Sequence, residues 1–371
     1  SAASTSTTRS ASPSPGTSTS SSPASTTATS TGSSSTPTSV SGSWKIQQTY
    51  QGGSFFDGWT FTSSDDTTTH GTATYVDQPP QYVPSFSAIS FFDLMTRAAI
   101  SNLIEINSDG NAIIRVDTTP TVPGNRQSIK ITSTLVLNGG LIILDAVHMP
   151  TGCATWPAFW SFGPNWPVGG EIDIVEGVNN YTNNQYTLHT NPGCTLPSSD
   201  TGVLGITGTL VDGTDCAAAT TGNAGCGIRD SRTNSFGAPF NSNGGGVFVT
   251  SWTDEGVSSW FFPRNAIPSD ISSGSPNPTG WGEPAASFPA STCTPGTFLF
   301  NHNLVFDTTL CGDWAAAVWG ATGVPGQDQS CAAITGVADC PTFVHQNGAS
   351  FSEASSSADW EVKSVKIYQT S

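Results

Sequence analysis

The chain has 371 residues, only 10% of them charged, and 27 acidic against 11 basic side chains leave it at −16. So negative a balance with so few cations argues against nucleic acid and anionic lipid as partners, and no apolar run approaches membrane-spanning length. A neutral polymer fits better, as does an acidic medium that titrates part of the charge.

Residues 1–41 are almost entirely Ser, Thr, Ala, Pro and Gly, with Arg9 the only charge, no aromatic residue and Val40 the only β-branched aliphatic. Such a segment cannot bury enough surface to offset its ordering entropy. It reads as an O-glycosylated stalk of a secreted protein, the alternative being an unmodified linker. The chain opens on Ser1 rather than Met, so an upstream segment is expected to be missing or removed.

From residue 42 to 371 the pattern is that of one all-β domain. Alternating runs at 112–117, 128–134, 141–147, 171–175, 247–253, 257–262, 299–307 and 360–368 are separated by Gly, Asn and Pro. Only Phe91 to Asn102 has helical spacing, through Phe92, Met95, Ala99 and Leu103. Val247–Thr253 and Val257–Phe262, joined through Asp254-Glu255-Gly256, read as a hairpin. The first strand, Trp44 to Tyr50, is expected to lie near the last, Trp360 to Tyr368, as the two chain ends do in a jelly roll.

Eight cysteines without a C-x-x-C pair, and no histidine at zinc-finger spacing, argue against a metal site and for four disulfides in an oxidising compartment. Proximity nominates Cys216–Cys226 and Cys331–Cys340 as loop clips. Asn180-Tyr181-Thr182 is the one glycosylation sequon.

The most informative stretch is Gly170-Glu171-Ile172-Asp173-Ile174-Val175-Glu176-Gly177. In a regular strand Glu171 and Asp173 share one face and Glu176 falls on the other, among the isoleucines. Burying an unpaired carboxylate there is costly. One extra residue, a β-bulge near Ile174-Val175, turns Glu176 back beside the other two acids, and bulges are over-represented next to active sites. Two carboxyl groups on one face are the machinery of a retaining glycosidase, one as nucleophile and one as acid, with the like charge of the neighbours raising one pKa. The alternatives are a solvated strand face or a calcium site, although calcium ligands usually sit in loops with carbonyl oxygens.

Eleven tryptophans are available as sugar platforms, because a sugar's C–H face is apolar while its edges hydrogen-bond. Trp156, Trp160 and Trp166 precede the acids, and Pro164-Asn165-Trp166-Pro167 must be a loop. Trp281, Trp314 and Trp319 lie in later loops, of which Trp281 and Trp314 are the substrate-binding candidates. His189, on the strand expected over 185–190, is placed either to hold the acid's carboxyl and bind a leaving sugar or to be a buried structural histidine. Arg126, in Gly124-Asn125-Arg126-Gln127-Ser128, either hydrogen-bonds a sugar or sits on a surface strand.

Glu-Ile-Asp-Ile-Val-Glu, with Trp156-Pro157-Ala158-Phe159-Trp160 and Gly163-Pro164-Asn165-Trp166-Pro167 upstream, resembles glycoside hydrolase family 16. The likeness is to its fungal endo-1,3(4)-β-glucanase (laminarinase) branch and to the bulged E-x-D-x-x-E signature rather than the E-x-D-x-E of bacterial lichenases. It continues through Leu188-His189-Thr190, Trp252 to Arg264, Trp281-Gly282 and Cys311-Gly312-Asp313-Trp314, covering most of the chain from Gly42. The resemblance implies a concanavalin-like β-jelly-roll sandwich of two antiparallel sheets with a concave substrate cleft. It also implies Glu171 as nucleophile, Asp173 as its assistant, Glu176 as general acid/base, Trp160 and Trp166 as walls of the subsites before the cleavage point, and His189 in the cleft. The expectation is a secreted, extracellular, monomeric endo-β-glucanase acting on β-1,3 or mixed-linkage glucan, with no cofactor and no metal site; a structural calcium ion is left open, and no dedicated oxygen-rich loop stands out for one. The alternatives are a glucan transglycosylase with the same acids and a non-catalytic carbohydrate-binding protein, which typically lacks one of the carboxylates.

Overall fold

The computed structural model describes residues 43–77, 103–211, 213–353 and 357–370. The Ser/Thr-rich segment and the helix expected at Phe91–Asn102 lie outside the described residues. Among these residues strands dominate and helices are short, the longest being Cys340–Gln346.

Two eight-stranded antiparallel sheets and one of three strands account for the strands described. The first large sheet runs Ala286–Pro289, Gly256–Pro263, Gly246–Thr253, Gly140–His148, Asp359–Thr370, Ala112–Arg115, Ile104–Ile106, with Trp44–Gln51 also paired to Asp359–Thr370. The two chain ends thus pair side by side, Trp44 opposite Thr370 and Gln51 opposite Ser364. The expected hairpin forms with Thr253 opposite Gly256, leaving a two-residue turn at Asp254-Glu255.

The second large sheet runs Thr209–Leu210, Cys226–Arg229, Gln185–His189, Glu171–Glu176, Thr155–Phe162, Asn303–Leu310, Lys130–Ser133, Trp59–Phe61. The acid-bearing strand is therefore central, with strands on both sides to fix it. Alternation sends Ile172, Val175, Phe159, Leu188 and Phe306 inward, where they meet Ile142, Leu144, Phe248 and Trp360 of the first sheet in one continuous core. Phe306 packs edge-on against Trp360 at 5.4 Å between ring centres, one of the contacts that lock the sheets together.

All eight cysteines are paired: Cys153–Cys331, Cys194–Cys293, Cys216–Cys226 and Cys311–Cys340. The clip expected at Cys216–Cys226 is present. That at Cys331–Cys340 is not: Cys331 reaches back to Cys153 and Cys340 to Cys311, tying the short helices Cys331–Thr335 and Cys340–Gln346 to the ends of the strands Thr155–Phe162 and Asn303–Leu310.

Candidate active site

Directly opposed residues on neighbouring strands share a face, so the register of the acid strand shows where each carboxyl points. Phe162 pairs with Glu171, Ser161 with Ile172 and Trp160 with Asp173; then the register slips, and Phe159 pairs with Val175 and Ala158 with Glu176. Ile174 is the extra residue. It leaves Glu171, Asp173 and Glu176 on the face away from the core, in cross-strand rows with Phe162, Trp160 and Ala158.

A bulge frees backbone groups that the ladder no longer satisfies. Asn184 takes both: its Nδ2 donates to the Ile174 carbonyl at 2.8 Å, and its Oδ1 accepts from the Glu176 N–H at 2.9 Å. Asn184 is itself held, its N–H donating to Ser235 Oγ at 2.9 Å and its carbonyl accepting from the Asp230 N–H at 2.8 Å. One fully buried amide therefore brackets the bulge and sets the direction of Glu176.

Glu176 accepts from the Trp156 indole N–H at 3.0 Å. Burial, reinforced by the charge of Asp173, pushes its carboxyl well above the ordinary carboxylate range, against the opposing pull of His189 and the Trp156 bond. Asp173 is pushed well up by its burial, by the charge of Glu171 and by its hydrogen bond to that carboxyl. His189, opposite Glu171 on the adjacent strand, lies with Nε2 3.3 Å from Asp173 Oδ2. Glu171, Asp173 and His189 bring donor atoms within 4.8 Å of one another, close enough to hold a cation. The charge of Asp173 also bears on Glu176, and Glu171 accepts a hydrogen bond from a tryptophan on its outer side.

That tryptophan is Trp166, 44% exposed, whose Nε1–H donates to Glu171 Oε2 at 2.5 Å. Its loop is pinched at the base: Gly163 N–H donates to the Gly170 carbonyl at 2.9 Å, and Gly169 N–H to the Pro164 carbonyl at 3.0 Å. A Cβ on Gly163 would stand 2.4 Å from the Phe300 carbonyl oxygen, so only glycine permits this approach. Buried His302 supports the loop from beneath, with Nε2 2.8 Å from the Gly169 carbonyl and Nδ1 2.9 Å from Ser161 Oγ.

The remaining candidates divide. Trp160 lies on the open face opposite Asp173, and Trp314 packs edge-on against Trp156 at 5.7 Å, which places both beside the acids. Arg126 is not brought there. It is fully buried, its guanidinium donating to the carbonyls of Val344, Asp117 and Thr119 and stacking over Phe351, so it has no exposed surface with which to meet a sugar at the acids. Trp281 is not brought there either. It packs edge-on against Trp260 and Phe262 in the cluster on the outer side of the other sheet, and its N–H donates to Asp270 at 2.8 Å. Both corrections have one cause: flanking Gly, Asn and Pro marked a loop or turn without saying which sheet it closes.

A family model described as "XgeA-like, catalytic GH16 domain" matches residues 59–368. The chain belongs to glycoside hydrolase family 16. A relative in Schizosaccharomyces pombe, named a probable glycosidase, is 41% identical over 330 residues, covering 88% of this chain and 70% of its own. A probable endo-1,3(4)-beta-glucanase of Aspergillus clavatus is 38% identical over 334 residues, 89% of this chain but 47% of that protein, so the chain spans about half of that relative's length. Among solved structures, Laminarinase 16A of Phanerochaete chrysosporium, with beta-glucans in its donor and acceptor sites, aligns at a TM-score of 0.73 and 33% identity, over 88% of this chain and all of its own. An elongating family 16 beta-1,3-glucosyltransferase aligns at 0.71 and 34% identity, over the same shares. The two-sheet architecture is that of the family 16 jelly roll, and the family 16 domain is a glycoside hydrolase.

Proposed function

We propose that this family 16 domain is a secreted endo-β-glucanase that cleaves internal β-1,3 bonds, and β-1,4 bonds beside β-1,3 links, with retention. The observation that carries this is the register slip at Ile174, which sets Glu171 and Glu176 on one face of one strand. A retaining enzyme needs its two carboxyls about 5–5.5 Å apart, close enough for one of them to attack the sugar directly. Glu171, oriented by the Trp166 N–H, attacks the anomeric carbon. Glu176, kept protonated by its burial, donates to the departing glycosidic oxygen. The glycosyl–Glu171 ester is then resolved by a water that gives its proton to Glu176. Asp173 lies between the two glutamates and hydrogen-bonds Glu171, and His189 stands against Asp173 from the neighbouring strand. Trp160 and Trp166 offer aromatic faces to the sugars before the scissile bond, and Trp314 frames the acid from the other end of the strand. Four disulfides and the Ser/Thr-rich leader support an extracellular setting.

Reducing-end release from laminarin by the wild type and Glu171→Gln, with NMR of the first-formed anomer, tests this. Equal activity in the two proteins, or an inverted product, would overturn it. A second reading, transfer of the glycosyl group to another glucan, is favoured specifically by the likeness to the elongating glucosyltransferase. Product length at high acceptor concentration separates the two.

A further inference from the structure

The row that contains Glu176 continues across the sheet. Glu176 lies opposite Ala158, Ala158 opposite Asp307, and Asp307 opposite Lys130, so all four project from the same face. The only side chain between Glu176 and Asp307 is a methyl group. Asp307 is 8% exposed and its Oδ2 lies 3.4 Å from Lys130 Nζ. Its Oδ1 accepts from the Trp160 indole N–H at 3.3 Å. The Lys130 ammonium in turn stands 5.1 Å from the Trp160 ring centre and 5.5 Å from that of Tyr75. Trp160 is thus gripped twice by one ion pair, at its N–H by the anion and at its π-system by the cation.

A pair this dry is a poor stabiliser, because desolvation offsets most of the attraction. Its geometry is better explained by what it holds. We propose that Lys130 and Asp307 are positioning residues that fix the Trp160 platform and keep a compensated charge in the row that ends at Glu176. This rests on reading Glu176 as the acid and Trp160 as a sugar platform. The groups facing Asp307 are Lys130, Trp160, Tyr75, Asp66 and, toward the centre of the sheet, Asp173, with Glu176 beyond Ala158 in the same row. Asp66 is held ionised by hydrogen bonds from Thr309, Thr69 and Thr68, although burial opposes this. Lys130 is therefore the cation that offsets the anionic charge on this stretch of the floor. Burial pushes the Asp307 carboxyl up and Lys130 draws it down, and the charge of Asp307 is felt at Asp173.

The test is kcat and KM on laminarin across pH for the wild type, Asp307→Asn, Lys130→Arg, Trp160→Phe and the Asp307→Asn/Trp160→Phe double variant. Asp307→Asn leaves the Lys130 charge uncompensated near Glu176, so the alkaline limb of kcat/KM should move to lower pH by about half a unit to one unit. Its KM should rise roughly fivefold as Trp160 loses a charged hydrogen-bond acceptor. In the Trp160→Phe background, which has no indole N–H, the same substitution should leave KM where Trp160→Phe set it. Lys130→Arg, which keeps the charge, should retain the wild-type limb. An unmoved limb together with an unchanged KM in Asp307→Asn overturns the proposal, and so does a KM effect of equal size in both backgrounds. If Asp307→Asn does not fold, Lys130→Met/Asp307→Leu, which buries no lone charge, replaces it: a raised KM supports the anchor and a wild-type KM removes it. Failure of the underlying glucanase assignment is a separate result, because the wild type itself would then be inactive on laminarin.

Discussion

Asn184→Ala is the sharpest test of how the acids are aimed. The substitution removes the donor to the Ile174 carbonyl and the acceptor for the Glu176 N–H together. Each buried backbone group left unpaired costs about 1–3 kcal/mol, so the pair amounts to about 2–6 kcal/mol. Water entering the space vacated by the amide should hold the loss near the lower half of that range, about 3 kcal/mol. For a domain of this size that corresponds to a fall in Tm of roughly 4 °C. Activity should suffer more than stability, because the freed backbone is that of Glu176 itself and a displacement of about 1 Å at a reacting group costs on the order of a hundredfold in rate. Differential scanning fluorimetry and kcat/KM on laminarin, measured on one preparation, report both effects. Asn184→Asp separates the halves, since it keeps the acceptor and deletes the donor. A folded Asn184→Ala with unchanged kcat/KM would show that the bulge holds its shape without the bracket, and the positioning role would be refuted.

Glu176→Gln should abolish glucan hydrolysis yet raise Tm at neutral pH. The native carboxyl titrates well above its unfolded value, so its favourable contribution is complete at acid pH and is lost as pH rises through the folded pKa; the Tm gap between variant and wild type should open in that direction. His302 carries the opposite sign. Burial lowers its pKa from 6.5 to about 4, so the stability it lends is present above pH 6.5 and lost as pH falls toward 4, by up to about 3 kcal/mol. His302→Gln should flatten the decline in Tm over that window, and an unchanged slope would exclude His302 as its source. Trp166→Phe keeps an aromatic face but removes the N–H from Glu171, and should lower kcat/KM by roughly tenfold or more, the value of a hydrogen bond to a charged group. Equal kcat/KM in Trp166→Phe would limit the indole to stacking.

The acid strand was legible because its apolar and acidic residues alternate and then conflict: only a bulge reconciles Glu176 with Ile172 and Ile174. The hairpin at Asp254-Glu255 and the pairing of the chain ends were legible for a similar reason, since local spacing and β-rich runs carry them. Asn184 was not. Its partners are main-chain groups of residues 174 and 176, and a single buried amide leaves no periodic trace. Lys130 and Asp307 are equally silent, each an ordinary polar residue on a strand until the sheet order puts them side by side. Arg126 misled because what buries it includes the Val344 carbonyl, 218 residues away, and the ring of Phe351, and the cysteines because sequence proximity favours Cys331–Cys340 while the fold returns Cys331 to Cys153.

The acid strand changes inside–outside parity once, at Ile174, and this makes one position unlike its neighbours under deletion. Removing Ile174 restores even spacing, so Glu171, Asp173 and the glutamate that follows would still emerge on the open side, with the Asn184 bracket made redundant. Removing Ile172 also restores an even separation between Glu171 and Glu176, but it turns Asp173 toward the hydrophobic interior and Ile174 toward the open side. Two single-codon deletions only two positions apart should therefore differ in kind: one keeps all three acids on the open side, and the other buries the middle one.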